Sequence, residues 1–173
     1  MFGRRRKPPA NLRPALARNE RVLAWARSAD DPSTAVVVTP LGLWLPGRTE
    51  RLGWHQIHKA TWAGSRLSVV PARVVGDGAL YTVMADDALV AVNLSDPGDV
   101  PAMVRQRVTK SVAYTAHHPL PTGGLRVVAR RVAGVNGVTW YVRYDDGTDP
   151  DDPDVQAFTA ELVAEAAAPM RPE

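Results

Sequence analysis

Four histidines are the side chains of this chain best suited to hold a transition metal. His55 and His58 are three residues apart, and His117 and His118 are adjacent. Positions three apart on a β-strand point to opposite faces, so a strand would not bring the first pair together. No acidic residue lies close to the histidines in sequence. We therefore expect no metal site, and we place the second pair near a helix C-terminus, where a protonated imidazole is favoured.

The acidic run Asp145–Asp154, DDGTDPDDPD, carries enough carboxylates to bind calcium. It lacks the spacing of a calcium loop and its distal glutamate, and its prolines stiffen the segment. A turn leading into an acidic helix N-terminus explains the run better, because carboxylates there accept hydrogen bonds from free N–H groups.

Catalytic signatures are absent from the sequence. The chain has no cysteine, which excludes disulfides, thiolate metal sites and cysteine nucleophiles. It also lacks a G-x-S-x-G motif, a phosphate loop and a dinucleotide fingerprint. We therefore expect a protein that is not an enzyme, with no catalytic residues and no cofactor.

A basic arm at the start of the chain is the candidate binding site. Arg4, Arg5, Arg6 and Lys7 are four consecutive cations that follow Phe2. They can bind an anionic lipid surface, at about 1 kcal/mol per basic residue. They can equally neutralise nucleic-acid phosphates. The simpler interpretation is a flexible, solubilising tail.

The charge is distributed unevenly along the chain. Residues 1–144 carry twenty bases and nine acids, which gives +11, whereas residues 145–173 carry nine acids and one base, which gives −8. This layout predicts that the acidic end packs on the basic body, with Phe158 and Leu162 buried. It also allows the basic part to attract an acidic partner.

The expected location is the bacterial cytoplasm. Eighteen arginines against three lysines are typical of a GC-rich bacterial genome. No apolar run approaches the roughly 20 residues that a membrane-spanning helix needs. The basic start resembles the first region of a signal peptide, but no apolar region follows it.

These residues must be positioned by short strands and two helices. Short apolar runs separated by turns predict about seven strands between residues 21 and 94. An apolar stripe that begins at Val100 predicts a helix over Asp99–His118. Strands are expected at Gly124–Val132 and Val138–Tyr144, and a helix that opens at Asp152 is expected to cover this hairpin.

The five tryptophans alternate with polar residues in predicted strands, which favours core packing over stacking on bases or sugars. In RLGWHQIHK, a regular strand would point Trp54 and Ile57 to opposite faces. Both are too apolar for solvent, so we predict a bulge or bend at Trp54–His55 that turns both inward.

Four phrases in the first two thirds of the chain resemble bacterial PH-like and GRAM-like domains. They are ERVLAWA (Glu20–Ala26), TPLGLWL (Thr39–Leu45), RLGWHQIHKATW (Arg51–Trp62) and RLSVV (Arg66–Val70). The resemblance covers roughly residues 20–118. It implies a PH-like barrel that acts in binding or scaffolding.

Together these observations predict an α+β, mainly β protein. The expected fold is a PH-like seven-stranded antiparallel barrel or sandwich with a capping C-terminal helix, plus an appended β-hairpin and helix. The expected domains are a flexible basic arm over residues 1–10, a PH-like domain over 11–118, and a hairpin with an amphipathic helix over 119–173. The function predicted first is a non-enzymatic binding or scaffold module with a protein partner. A peripheral membrane-surface adaptor that uses the arm is the second hypothesis, and a nucleic-acid-associated protein is the third.

Overall fold

The computed structural model describes residues 7–170. Arg4, Arg5 and Arg6 of the predicted arm lie outside the described residues, and Lys7, the first described residue, is exposed. The described chain is an α+β protein that consists mainly of strands, which confirms the predicted class.

Ten strands and two α-helices form the regular structure of residues 7–170. The strands are β1 (Ala24–Ser28), β2 (Ala35–Thr39), β3 (Gly42–Trp44), β4 (Ile57–Ala63), β5 (Arg66–Asp77), β6 (Thr82–Asp86), β7 (Val90–Ser95), β8 (Val112–Pro119), β9 (Gly124–Arg130) and β10 (Thr139–Tyr144). The helices are α1 (Val100–Ser111) and α2 (Pro153–Ala167). Short 3₁₀ helices span Ala10–Leu12, Trp54–Gln56 and Ala168–Met170.

The strands pair in one open series, β3-β2-β1-β7-β5-β6-β10-β9-β8, with β4 paired on β5. All pairs are antiparallel except β6 with β10, which are parallel. The sheet is therefore open and mixed rather than an antiparallel barrel or sandwich. Seven strands precede α1, as predicted, whereas β8 was not predicted and joins the expected strands β9 and β10.

Two compact units share this series. Within the described residues, the first unit comprises residues 7–71 and 87–110, and the second comprises residues 72–86 and 111–170. β5 contributes to both, since its start pairs with β4 and β7 and its end pairs with β6. The predicted domain limits at residues 10 and 118 remain predictions.

Strand β2 of the first unit, whose sequence is AVVVT, is almost wholly buried. β-Branched residues fit such a pleated, enclosed position well. The strands of this unit run in the order β3-β2-β1-β7-β5-β4, and Leu52 extends the β3 edge through an isolated antiparallel bridge with Leu43. The core includes Val36, Val38, Leu43, Leu52, Trp54, Ile57, Leu67, Val69, Val100 and Val104.

Helix α1 ends much earlier than predicted. The helix over Asp99–His118 is wrong beyond Ser111, because residues 112–119 form strand β8, which pairs with β9. The apolar residues Val108, Val112 and Ala116 are four positions apart. That spacing fits a helix and also an alternating strand, and Val112, Tyr114 and Thr115 favour the strand.

In the second unit, the end of β5 pairs with β6, and β6, β10, β9 and β8 follow in order. Helix α2 packs on this sheet, and Val163 joins Leu125, Val127 and Val142 in a small core. The predicted hairpin and its covering helix are therefore confirmed. Phe158 is an exception, because it is exposed rather than buried, while Leu162 is partly buried.

The start of α2 follows the sequence prediction. Asp152 is the N-cap residue, its side chain accepts a hydrogen bond of 2.9 Å from the N–H of Asp154, and Pro153 is the first helical residue. Proline is tolerated there because its missing N–H would have had no partner in the helix.

Trp54 and Ile57 both point into the core of the first unit, as predicted. The break that turns them inward is the 3₁₀ turn Trp54–Gln56 rather than a bulge. The indole N–H of Trp54 donates to the carbonyl of Thr39 at 3.0 Å. Residues 50–54 form no regular strand, and the isolated bridge between Leu52 and Leu43 is what joins this segment to the sheet.

Candidate binding groove

Strand β4 has one unpaired edge. Among the described residues, it pairs only with β5, and its register shifts between Ile57 and Lys59. In an antiparallel pair, alternate residues bond to the neighbouring strand, and the others direct their N–H and C=O groups outward. β4 therefore presents backbone donors and acceptors to a further strand.

A groove of about 540 Å³ lies between β4 and helix α1 in the first unit. Its lining residues are Ala60, Thr61, Trp62, Leu67, Pro101, Ala102, Val104 and Arg105. Trp62 is 36% exposed, whereas Leu67, its partner across the ladder, is 2% exposed. The prediction that all five tryptophans pack in the core is wrong for Trp62, which lies at the rim of this groove.

The elements that flank the groove carry only positive charge. β4 contributes Lys59, and α1 contributes Arg105, Arg107 and Lys110, while neither element contains an aspartate or a glutamate. Lys59 and Arg105 are exposed. Such a surface attracts anionic segments and repels cationic ones.

Local sequence features fix both walls of the groove. β4 and β5 are joined across Gly64 and Ser65, and Gly64 adopts φ +62°, a conformation that most residues avoid. On the other wall, buried Val100 and Val104 anchor α1 to the core. Exposed Ala102 and Arg105 then occupy the outer surface of the helix.

Three of the phrases that carry the family resemblance meet at a buried carboxylate, Glu20. Its oxygens accept hydrogen bonds from the hydroxyl of Thr39 at 2.6 Å and the indole N–H of Trp44 at 3.0 Å. They also accept bonds from the N–H of Ala17 at 2.9 Å and the guanidinium of Arg51 at 2.7 Å. All four donors are thereby satisfied, which identifies the cluster as a structural element of the fold.

The charged form of Glu20 is favoured in the folded protein. Burial by itself would raise the pKa of this carboxyl. The hydrogen bonds from Thr39, Ala17 and Trp44, together with the positive charge of Arg51, outweigh that effect and lower the pKa below its usual value. Arg51 also lies over the ring of Trp44, with 5.8 Å between its guanidinium carbon and the ring centroid.

Of the four predicted arm residues, the structure describes only Lys7. It lines a second cavity of the first unit, of about 380 Å³, whose other residues include Asp96 and Asp99. The described chain therefore does not test whether the arm binds a partner.

The histidines do not form a cluster. His117 contacts the carboxylate of Asp145 at 2.6 Å, a partner 28 residues away in sequence. Within residues 7–170, no group of three or more His, Cys, Asp or Glu side chains could hold a metal ion. Neither α1 nor α2 is long and apolar enough to cross a membrane.

Sequence reasoning missed the groove. Trp62 was predicted to pack in the core, and no role was predicted for Arg105. The sequence did contain a sign that Trp62 is exposed. This residue directly precedes the turn Ala63–Gly64–Ser65, which is exposed because the chain leaves the core there.

Comparison of the chain with protein-family models, with curated proteins and with solved structures found no match.

Proposed function

We propose that the first unit is a PH-like, non-enzymatic interaction module of the bacterial cytoplasm, which binds an extended acidic segment of a partner protein. The segment lies in the groove between β4 and α1. The single observation that carries the proposal is the unpaired edge of β4 beside an open groove lined by the partly exposed Trp62.

An extended peptide that adds a strand to β4 would bond to the outward backbone groups of that strand. Main-chain hydrogen bonds give affinity in such complexes, and pockets for alternate side chains give specificity. Trp62 offers an aromatic contact of the type that dominates binding energy at interfaces. Lys59 and Arg105 favour acidic residues in the bound segment.

The strand order of the first unit supports the PH-like assignment. The bridge at Leu52, then β3, β2, β1, β7, β5 and β4, form seven positions in one antiparallel series. Helix α1 follows the last strand, β7, as the resemblance implies. Glu20, Thr39 and Trp54 of the quoted phrases lie in the interior of this unit.

The experiment is a selection from a displayed library of random short peptides on the full chain, followed by affinity measurements with labelled peptides. We expect the selected peptides to be rich in aspartate and glutamate and to lose affinity when these residues are replaced by lysine. Trp62→Ala and Arg105→Glu should each weaken binding by at least about tenfold.

Matched controls come from exposed residues of the first unit that lie outside the groove. Leu89→Ala removes an exposed apolar side chain, and Arg48→Glu makes the same charge reversal, so both should leave affinity unchanged. A single-stranded oligonucleotide serves as competitor. The proposal would be contradicted if the selected peptides bound both groove variants as tightly as the unaltered chain. It would also be contradicted if the oligonucleotide bound as tightly as the peptides and Trp62→Ala did not weaken its binding.

A second function is favoured by the four cations Arg4–Lys7, which we propose as an attachment point for anionic surfaces. This proposal is independent of the groove, because the arm precedes the first strand. Deleting the arm and altering the groove therefore test the two functions separately.

A further inference from the structure

The end of β5 forms an exposed apolar edge in the second unit. Among the described residues, Ala72–Asp77 pairs with β6 alone, since β7 pairs with β5 only between Arg66 and Val69. Val74 is 62% exposed and Val75 is 48% exposed. Leu80, in the turn that joins β5 to β6, is 53% exposed. Native sheets usually protect such edges with charge, a bulge or a covering element.

This edge has a charge pattern that is complementary to itself. The five residues Arg73–Asp77 read RVVGD, with a cation at one end and an anion at the other. If two copies of this segment pair in antiparallel fashion about Val75, Arg73 of each copy lies opposite Asp77 of the other. Val75 then lies opposite its own counterpart at the two-fold axis.

We propose that the chain forms a symmetric dimer through antiparallel pairing of this edge of β5 with the same edge of a second copy. A two-fold contact requires one surface to be complementary to itself, and the symmetry then makes the ion pair between Arg73 and Asp77 twice. Opposite charges that face each other across strands are favourable, whereas like charges at the same positions are unfavourable.

The charges of the segment are available for this contact. Asp77 is exposed and has no ion pair with any residue in the part of the chain that the structure describes. Arg73 is exposed, and its side chain donates only a long bond of 3.4 Å to the carbonyl of Asp86. Both side chains can therefore reorient toward a second copy.

A bulge limits the extent of the pairing. The β5–β6 register shifts between Val74 and Gly76, so Val75 is the extra residue on β5. Bulges increase the local twist of a strand and shorten the stretch that can pair regularly. The contact is consequently short, and the dimer is weak and dependent on concentration.

Sedimentation equilibrium of the full chain over a concentration series tests the proposal. We expect a reversible monomer–dimer equilibrium. Arg73→Asp and Asp77→Arg each place like charges opposite each other, and each should raise the dimer dissociation constant by at least about tenfold. The double variant R73D/D77R restores complementarity and should dimerise as the unaltered chain does.

Mixing the two single variants provides a second measurement. In the mixed dimer, each reversed side chain faces an opposite charge, so R73D and D77R should associate with each other although neither associates with itself. Arg48→Asp, on an exposed residue of the first unit, is the control for charge change. Circular dichroism checks that every variant is folded. A chain that stays monomeric at all concentrations, or a dimer that survives both single reversals, would overturn the proposal.

Discussion

Glu20 shows how one residue of a family-like phrase can stabilise the fold through the contacts of its own side chain. Its side chain has no exposed surface and accepts hydrogen bonds from one backbone and three side-chain donors. The sequence resemblance drew attention to this residue without giving a reason for it. The structure provides the reason, because Glu20 ties the segment before β1 to Thr39, Trp44 and Arg51.

Glu20→Ala is predicted to destabilise the first unit. The substitution leaves the indole N–H of Trp44 without its carboxylate partner in a buried site, and a buried donor without a partner costs about 1–3 kcal/mol. Loss of the bonds to Thr39 and Ala17 adds to this, so we expect at least about 2 kcal/mol in urea denaturation. Glu50→Ala alters an exposed glutamate and should change stability by less than about 0.5 kcal/mol. Equal effects of the two variants would contradict the structural role.

The lowered pKa of Glu20 also predicts a pH dependence of stability. A carboxyl whose pKa is lower in the folded than in the unfolded protein stabilises the fold above its unfolded value of about 4.3. That contribution is lost as the pH falls through the lowered folded value. The difference in unfolding free energy between the unaltered chain and Glu20→Gln should therefore be largest near neutral pH and shrink in acid. A difference that grows in acid would contradict this assignment.

Two tryptophans provide a contrast between core and surface. Trp54 is buried and bonded to Thr39, so Trp54→Ala should cost about 3–5 kcal/mol of folding free energy. Trp62 is about one third exposed and lines the groove, so Trp62→Ala should cost clearly less. Chemical denaturation monitored by far-UV circular dichroism measures both. A stable Trp54→Ala protein that had lost peptide binding would reverse the two roles.

At the scale of elements, the sequence predicts strands better where they alternate and end at turns. β9 and β10 lie within about two residues of their predicted positions, because apolar and polar residues alternate there between glycine-containing turns. The β9–β10 hairpin and the capped start of α2 were predicted for the same reason. Local signals suffice when neighbouring residues decide the conformation.

Long-range pairing explains what the sequence could not indicate. Residues 112–119 have a spacing that fits both a helix and a strand, and pairing with β9, on the other side of a turn, stabilises the strand. The parallel pairing of β6 with β10 joins segments more than 50 residues apart and leaves no local signature. The groove belongs to the same category, because its two walls are separated by three strands of sequence.

Helix α2 allows a prediction with a control on the same helix. Val163 is fully buried against the second unit's sheet, whereas Phe158 is 37% exposed. Val163→Asp buries an unpaired charge and should destabilise the second unit by about 4 kcal/mol or more. Phe158→Asp introduces the same charge on the outer side and should cost much less. Thermal unfolding compares them, and similar losses would mean that α2 does not pack through Val163.

At the scale of the whole molecule, opposite charges are separated along the chain. The acidic residues after position 144 include the N-cap and first turn of α2, where they stabilise the helix. Twenty bases precede them, against nine acids. Strand β4 and helix α1 of the first unit therefore expose the cations Lys59 and Arg105, whereas part of the acidic charge stabilises α2 in the second unit.

The arm provides the prediction that belongs to the whole chain. Four cations near an anionic bilayer contribute about 4 kcal/mol in total, which corresponds to roughly a thousandfold in binding. Sedimentation with vesicles that contain phosphatidylserine should therefore detect binding by the full chain at low salt, and deletion of residues 1–9 should abolish it.

The vesicle binding should also weaken as added salt shortens the Debye length to about 8 Å or less. Arg105→Glu controls for the groove and should leave vesicle binding intact, since that residue belongs to the proposed peptide site and not to the arm. Vesicle binding that survives the deletion would place the contact on the folded units instead of the arm.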